Sequence, residues 1–66
     1  MGDTDRSGPV YFEFTPIGSS VRVAAIDAAT GVEVSVIGPV RASRADLQDL
    51  ALRKLKTRLA KGPSEP

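Results

Sequence analysis

Apolar residues recur at every second position in three short stretches of this chain and then switch to a three-and-four spacing. In "VYFEF", Val10, Phe12 and Phe14 alternate with Tyr11 and Glu13; in "VRVAAID", Val21, Val23 and Ala25 alternate with Arg22, Ala24 and Ile26; in "VEVSVI", Val32, Val34 and Val36 alternate with Glu33, Ser35 and Ile37. A period of two belongs to a strand with one apolar face, so three strands are predicted. Further along, Leu47, Leu50, Ala51, Leu55 and Leu59 fall on one stripe of a helix. The predicted fold is α+β, a three-stranded antiparallel meander with one C-terminal helix packed on one face (β-β-β-α). Positions 9–62 form the single domain, and the Gly-, Pro-, Ser- and charge-rich stretches 1–8 and 63–66 are expected to be disordered tails.

The turns set the register. "DAATG" reads as a hairpin loop in which Asp27 accepts loop amide hydrogens and Gly31 takes a positive φ. This pairs Asp27 with Val32, Ala25 with Val34 and Val23 with Val36. "TPIGSS" reads as a second turn, with Pro16 fixing φ and Gly18 supplying freedom; closing it with Phe14 against Val21 sets Phe12 against Val23 and Glu13 against Arg22. "GPV", from Gly38, is expected to break the third strand. Ser43 is the predicted N-cap with Asp46 in the first turn, and Gly62 followed by Pro63 ends the helix.

Charge changes this picture little. Nine Lys and Arg against eight Asp and Glu leave a net charge of +1, which does not advertise a polyanionic partner. The basic residues are nonetheless concentrated late: "LRKLKTRLAKG" holds Arg53, Lys54, Lys56, Arg58 and Lys61. These are the candidate nucleic-acid contacts, yet on a helical projection they spread over about 200° and do not line up. Cations at a helix C-terminus, with Asp46 and Asp49 near its start, are what the helix dipole favours. The basic run is therefore read first as a solvated helix end and second as a grip for nucleic acid.

Candidate chemistry is sparse. The chain has no cysteine and no histidine, so disulfides, thiolates and the commonest general base and metal ligand are missing. Ser19, Ser20, Ser35 and Ser43 have no framing nucleophile pattern, and "PIGSS" and "IGPV" match no nucleotide-binding loop. Asp46 and Asp49 fit as first-turn acids, with no third ligand nearby to make a metal site. No catalytic residue, cofactor or metal is assigned, and the chain is not expected to be an enzyme. No apolar run approaches the ~18 residues that cross a bilayer, and the acidic, polar start does not resemble a secretory signal, so a soluble, cytoplasmic protein without membrane contact is expected.

What remains is surface. Tyr11, Ala24, Ile26 and Ile37 share the sheet face away from the helix, leaving that face semi-apolar. On the helix, Leu52 lies off the main apolar stripe; either "PVRA" folds back so that Val40 covers it, or a second subunit does. Tyr11, Ile26, Ile37 and Leu52 are the candidate surface for an unidentified protein partner, with a monomer preferred to a weak homodimer.

The stretch from "VYFEF" through "GSSVRVAAIDAATGVEVSVIGP" to "ADLQDLALRKLKTRL" resembles a family of small bacterial, alphaproteobacterial-type proteins of unknown function. The most specific parts are the turn pattern "AIDAATG.EV" and the helix pattern "ADL..LALRKL", where a dot is any residue. Some members carry the name serine hydroxymethyltransferase, a name at odds with a chain of 66 residues, which cannot enclose a pyridoxal-phosphate pocket. The resemblance implies a bacterial cytoplasmic setting and supplies no site residues.

Overall fold

The computed structural model describes residues 9–61. Three strands, β1 (Val10–Ile17), β2 (Ser20–Asp27) and β3 (Glu33–Pro39), precede one helix, α1 (Arg44–Lys61). The sheet is open and antiparallel in the order β1-β2-β3, and α1 packs against it. The expected tails, and the helix stop at Gly62 and Pro63, lie outside the described residues.

The hairpin between β2 and β3 forms as the sequence predicts. Ala25 faces Val34 and Val23 faces Val36, and the Asp27 amide donates to the Val32 carbonyl at 2.9 Å. Gly31 has φ 78°, a left-handed conformation that a Cβ resists. Ser43 caps α1: its Oγ accepts the Asp46 amide at 3.3 Å, and its carbonyl accepts the Leu47 amide at 3.1 Å.

The β1–β2 hairpin is shifted by two residues from expectation. Phe14 pairs with Val23, Phe12 with Ala25 and Glu13 with Ala24, so Phe14–Val21 and Glu13–Arg22 are not pairs. The cause is the turn. Gly18 has φ 59° as the first of two loop residues, the arrangement of a type II′ hairpin, and the ladder then runs on to Ile17 and Ser20. Pro16 therefore lies within β1 rather than in the turn. A shift of two preserves every residue's face, so the predicted core survives while the predicted ion pair does not.

β3 also runs further than expected, through Gly38, which pairs with Val21, to Pro39, which pairs with Ser20. Gly38 is in the strand because the helix needs it there. A Cβ at this position would lie 2.6 Å from Leu47 Cδ2, so the missing side chain is the seat of the first buried leucine of α1.

The core consists of Val21, Val23 and Ala25 from β2 with Leu47, Ala51 and Leu55 from α1, and Val10, Phe12, Phe14, Val32, Val34, Val36 and Leu59 pack around it. Leu50 departs from the predicted stripe and is 50% exposed. The stripe through Leu47, Ala51, Leu55 and Leu59 drifts around the helix, since residues four apart advance by about 40°. Leu50 falls off its trailing side and Leu52 toward its leading side, where it is half-buried.

The contact at Gly38 gives a test. Gly38→Ala should cost about 1–3 kcal/mol through overpacking, and Leu47→Ala about 2–5 kcal/mol through the cavity it leaves. Because each change relieves the other's steric problem, denaturant melts of the double variant should show a loss smaller than the sum by at least ~0.5 kcal/mol. Additive losses would mean that Leu47 does not sit on Gly38.

Candidate functional site

Hydrogen-bond direction along the sheet follows from one observed bond. The Asp27 amide points to β3, and main-chain groups alternate sides along a strand, so Val21, Val23, Ala25 and Asp27 address β3 while Ser20, Arg22, Ala24 and Ile26 address β1. Their partners Tyr11, Glu13, Thr15 and Ile17 face inward to the ladder. Val10, Phe12, Phe14 and Pro16 consequently turn their main-chain groups to the open edge of β1. On β3, Glu33, Ser35, Ile37 and Pro39 do the same at the other edge. Both prolines thus occupy positions whose N–H would have pointed away from the sheet, where its loss breaks no ladder bond.

The two edges differ. Across α1, Lys54 reaches β3 and its Nζ donates to the Ser35 carbonyl at 2.7 Å, so one outward carbonyl is already capped and a cation stands on the edge. No such cap is found on β1 among the described residues. The helix itself lies over β2 and β3. With Lys54 marking the flank toward β3, Leu52 stands roughly 160° further round and marks the flank toward β1. On that side Val10, Phe12, Phe14 and Leu52 are all half-buried.

At the C-terminal end of β1 this flank is closed by an arginine. The Arg44 guanidinium carbon lies 4.3 Å from the centre of the Phe14 ring, a cation–π contact. Phe14, Pro16, Val21, Val40 and Arg44 line a shallow cleft of about 220 Å³ there. Val40 is 58% exposed and belongs to this cleft, about two helical turns from Leu52. It does not provide the cover for Leu52 that the sequence suggested.

The outer face is less continuous than expected. Tyr11, 59% exposed, is the direct cross-strand neighbour of Ile26, and these two form one apolar island. Ile37, 65% exposed, stands two rows away beside Arg22. Between them Arg22 Nη2 approaches Glu33 Oε2 at 3.9 Å. That pair spans the row of Ala24 and Ser35, and Ala24 is fully buried although it faces away from the helix. Leu52 lies on the opposite side of the sheet from Tyr11, Ile26 and Ile37, so the four candidate residues do not form one patch. What brings Tyr11 and Leu52 near a common boundary is the edge of β1.

The basic residues stay dispersed. Arg53 Nε is 3.7 Å from Asp49 Oδ2, Lys54 is held on Ser35, and Lys56, Arg58 and Lys61 are exposed at different azimuths of the helix. Arg58 and Lys61 lie in the last turn and Asp46 in the first, the polarity the helix dipole favours.

Asp27 is more deeply placed than its turn role required. It is fully buried, and its Oδ2 accepts the Thr30 amide at 3.0 Å and the Thr30 hydroxyl at 2.7 Å. Thr30 Oγ1 also accepts the Val32 amide at 3.2 Å, so one carboxylate oxygen and one hydroxyl organise the loop. Oδ1 has no hydrogen-bond partner among the described residues. These residues contain no cluster of three metal-ligating side chains, and no helix in them is long and apolar enough to cross a membrane.

A small open β-β-β-α sheet with a β3 edge capped by Lys54 and a β1 edge that carries no cap among the described residues is the class of protein these features define. The chain belongs to the family described as a domain of unknown function (DUF6898), whose profile matches residues 7–62. Neither the curated proteins nor the solved structures contain a match to it.

If Asp27 serves the turn, stability should follow its hydrogen bonds. Asp27→Ala should cost about 1–3 kcal/mol, since it deletes bonds to a charged acceptor, and Thr30→Val about 1–2 kcal/mol. Asp27→Asn keeps an acceptor for Thr30 but buries an amide NH2 where Oδ1 has no partner among the described residues, so in urea melts it should lose about 1–2 kcal/mol and less than Asp27→Ala. Equal losses for Asn and Ala would show that the acceptor offered to Thr30 is not what holds the loop.

Proposed function

We propose that this domain is a non-enzymatic protein-interaction module that engages its partner along β1. The observation that supports this reading is the asymmetry of the sheet. The β3 edge carries Lys54 on the Ser35 carbonyl, whereas β1 offers the outward main-chain groups of Val10, Phe12 and Phe14. Around that edge stand Tyr11 and Ile26 on one face and Phe12, Phe14 and Leu52 on the other. An exposed strand flanked by apolar side chains is a template for another chain: main-chain bonds give affinity and the alternating side chains give specificity. The non-enzymatic part of the reading rests on composition, for a chain without histidine or cysteine lacks the usual means of activating its serines.

Nucleic-acid binding through Lys56, Arg58 and Lys61 is the rival. Arg53 and Lys54 contribute less to it, being occupied by Asp49 and Ser35.

Affinity capture with the full chain separates the two. A protein retained by the wild type should be lost from folded Tyr11→Lys and Leu52→Glu variants and kept by Lys56→Glu. Capture unchanged in both of the former would remove β1 as the contact surface. In an electrophoretic shift assay at low salt, no complex with DNA or RNA is expected at micromolar protein; a complex that weakens steeply with salt, and disappears when Arg58 and Lys61 are reversed to Glu, would establish the rival.

A further inference from the structure

We propose that the partner of β1 is a second copy of this chain, paired β1 to β1 in antiparallel register with Phe12 on the two-fold axis. The inference rests on the reading of β1 as the contact surface and adds the identity and register of what occupies it.

The outward groups of β1 belong to even-numbered residues, Val10, Phe12 and Phe14 with the Pro16 carbonyl, as derived from the ladder. A two-fold perpendicular to the sheet keeps both helices on the same face, so like-facing side chains meet across the axis. With Phe12 on the axis, Phe12 pairs with Phe12 and Val10 with Phe14 of the other copy. Each pair presents its amide and carbonyl toward the partner, the condition for a hydrogen-bonded antiparallel pair. On the outer face, Tyr11 then lies directly opposite Glu13 of the second copy, a phenol against a carboxylate, twice by symmetry.

The neighbouring registers each set a mismatch across the axis. Centring on Glu13 sets the two Glu13 carboxylates opposite each other, and like charges directly across a ladder are destabilising. It also matches Val10 with Pro16, which has no amide to give. Centring on Phe14 matches Phe12 with Pro16 and fails in the same way. Centring on Tyr11 leaves Phe14 with no partner inside β1, which starts at Val10, and gives up the Tyr11–Glu13 pair. The sequence of β1 is thus self-complementary in one register.

The pairing also acts where the fold is left open. Val10, Phe12 and Phe14 are half-buried because α1 lies over β2 and β3. Each would gain an apolar cross-strand neighbour from the second copy, beside the Leu52 flank of its own helix. The product is a six-stranded sheet whose outer edges are the two β3 strands, each with Lys54 standing on Ser35.

The chain has no cysteine, so single cysteines report the register cleanly. Tyr11→Cys and Glu13→Cys change exposed positions. Directly opposed residues whose main-chain groups face away from each other have Cα atoms about 4.5 Å apart, within the ~4.4–6.8 Å that a disulfide bridges. Mixed and oxidised, the two variants should give predominantly the Tyr11→Cys/Glu13→Cys heterodimer, and each alone should give at least severalfold less. Equal self-crosslinking of either variant overturns the register and with it the proposal. Sedimentation of the wild type should show monomer passing to dimer between about 1 µM and about 1 mM, the range suited to an interface smaller than the ~1,600 Å² standard. Val10→Pro removes an amide that bonds nothing in the β1–β2 ladder, at a strand's first residue where proline is tolerated; it should keep its circular dichroism and remain monomeric throughout. A wild type that stays monomeric at the top of the range overturns the second copy as partner. It leaves β1 as a contact surface for a different chain only if the Leu52→Glu and Tyr11→Lys variants still lose a captured protein.

Discussion

Everything else in this fold depends on where the helix can come close to the sheet. Close approach requires small residues at the contact, and they are found at Ala25 on β2, Gly38 on β3 and Ala51 on α1, with Ala25 and Ala51 fully buried. Gly38 lies so near Leu47 that a methyl group would collide with it. The helix therefore settles over β2 and β3, and the large side chains of the inner face, Phe12 and Phe14, remain on β1, where they fill the wedge beside it. Interiors pack at near-crystalline density, so a single helix placed by its smallest residues cannot also cover the strand that carries the largest.

From that placement the two edges acquire different characters. Lys54 is on the flank of α1 next to β3 and can reach a strand carbonyl; Leu52, roughly opposite on the helix circumference, faces the β1 side. A cation on an edge discourages further pairing, while an apolar flank beside an uncapped strand invites it. The same asymmetry explains the tolerance of Pro16 and Pro39, whose missing amides would have faced outward. It also places the semi-apolar outer face in context. Tyr11 and Ile26 adjoin the open edge, and the Arg22–Glu33 pair with buried Ala24 separates them from Ile37.

Much of this was legible in the sequence, and the residues show why the remainder was not. Alternation fixed which side of each strand faces the helix, and because that signal has a period of two it is blind to a shift of two; Phe14 against Val21 and Phe14 against Val23 are equally consistent with it. The choice lay in the turn, where Pro16 reads as a turn residue by propensity and becomes a strand residue only because its amide side is the sheet's edge. Gly38 likewise reads as a breaker until the helix contact is known. Leu50 and Leu52 exchanged roles because the apolar stripe drifts around the helix, which residue spacing alone does not orient on the sheet. The turn chemistry of Asp27 and Gly31 and the acceptor role of Ser43 at the start of α1, all local, were legible, whereas the burial of Asp27 is a property of packing. For the candidate surface, Tyr11, Ile26, Ile37 and Leu52 were recognisable singly as apolar residues without a place in the core. Their separation onto two sides of the sheet, and the importance of Phe12 and Phe14 at the edge, required the topology.

That β1 is an open edge, with alternate main-chain groups that no described residue pairs, is tested by amide hydrogen exchange measured by NMR at high dilution. Tyr11, Glu13 and Thr15, bonded to β2, should be protected, while Val10, Phe12 and Phe14 exchange at rates near those of an unstructured chain, giving a protection pattern with a period of two along β1. Uniform protection from Val10 to Thr15 at dilutions where the chain is monomeric would contradict the account, for it would mean that the chain covers its own first strand.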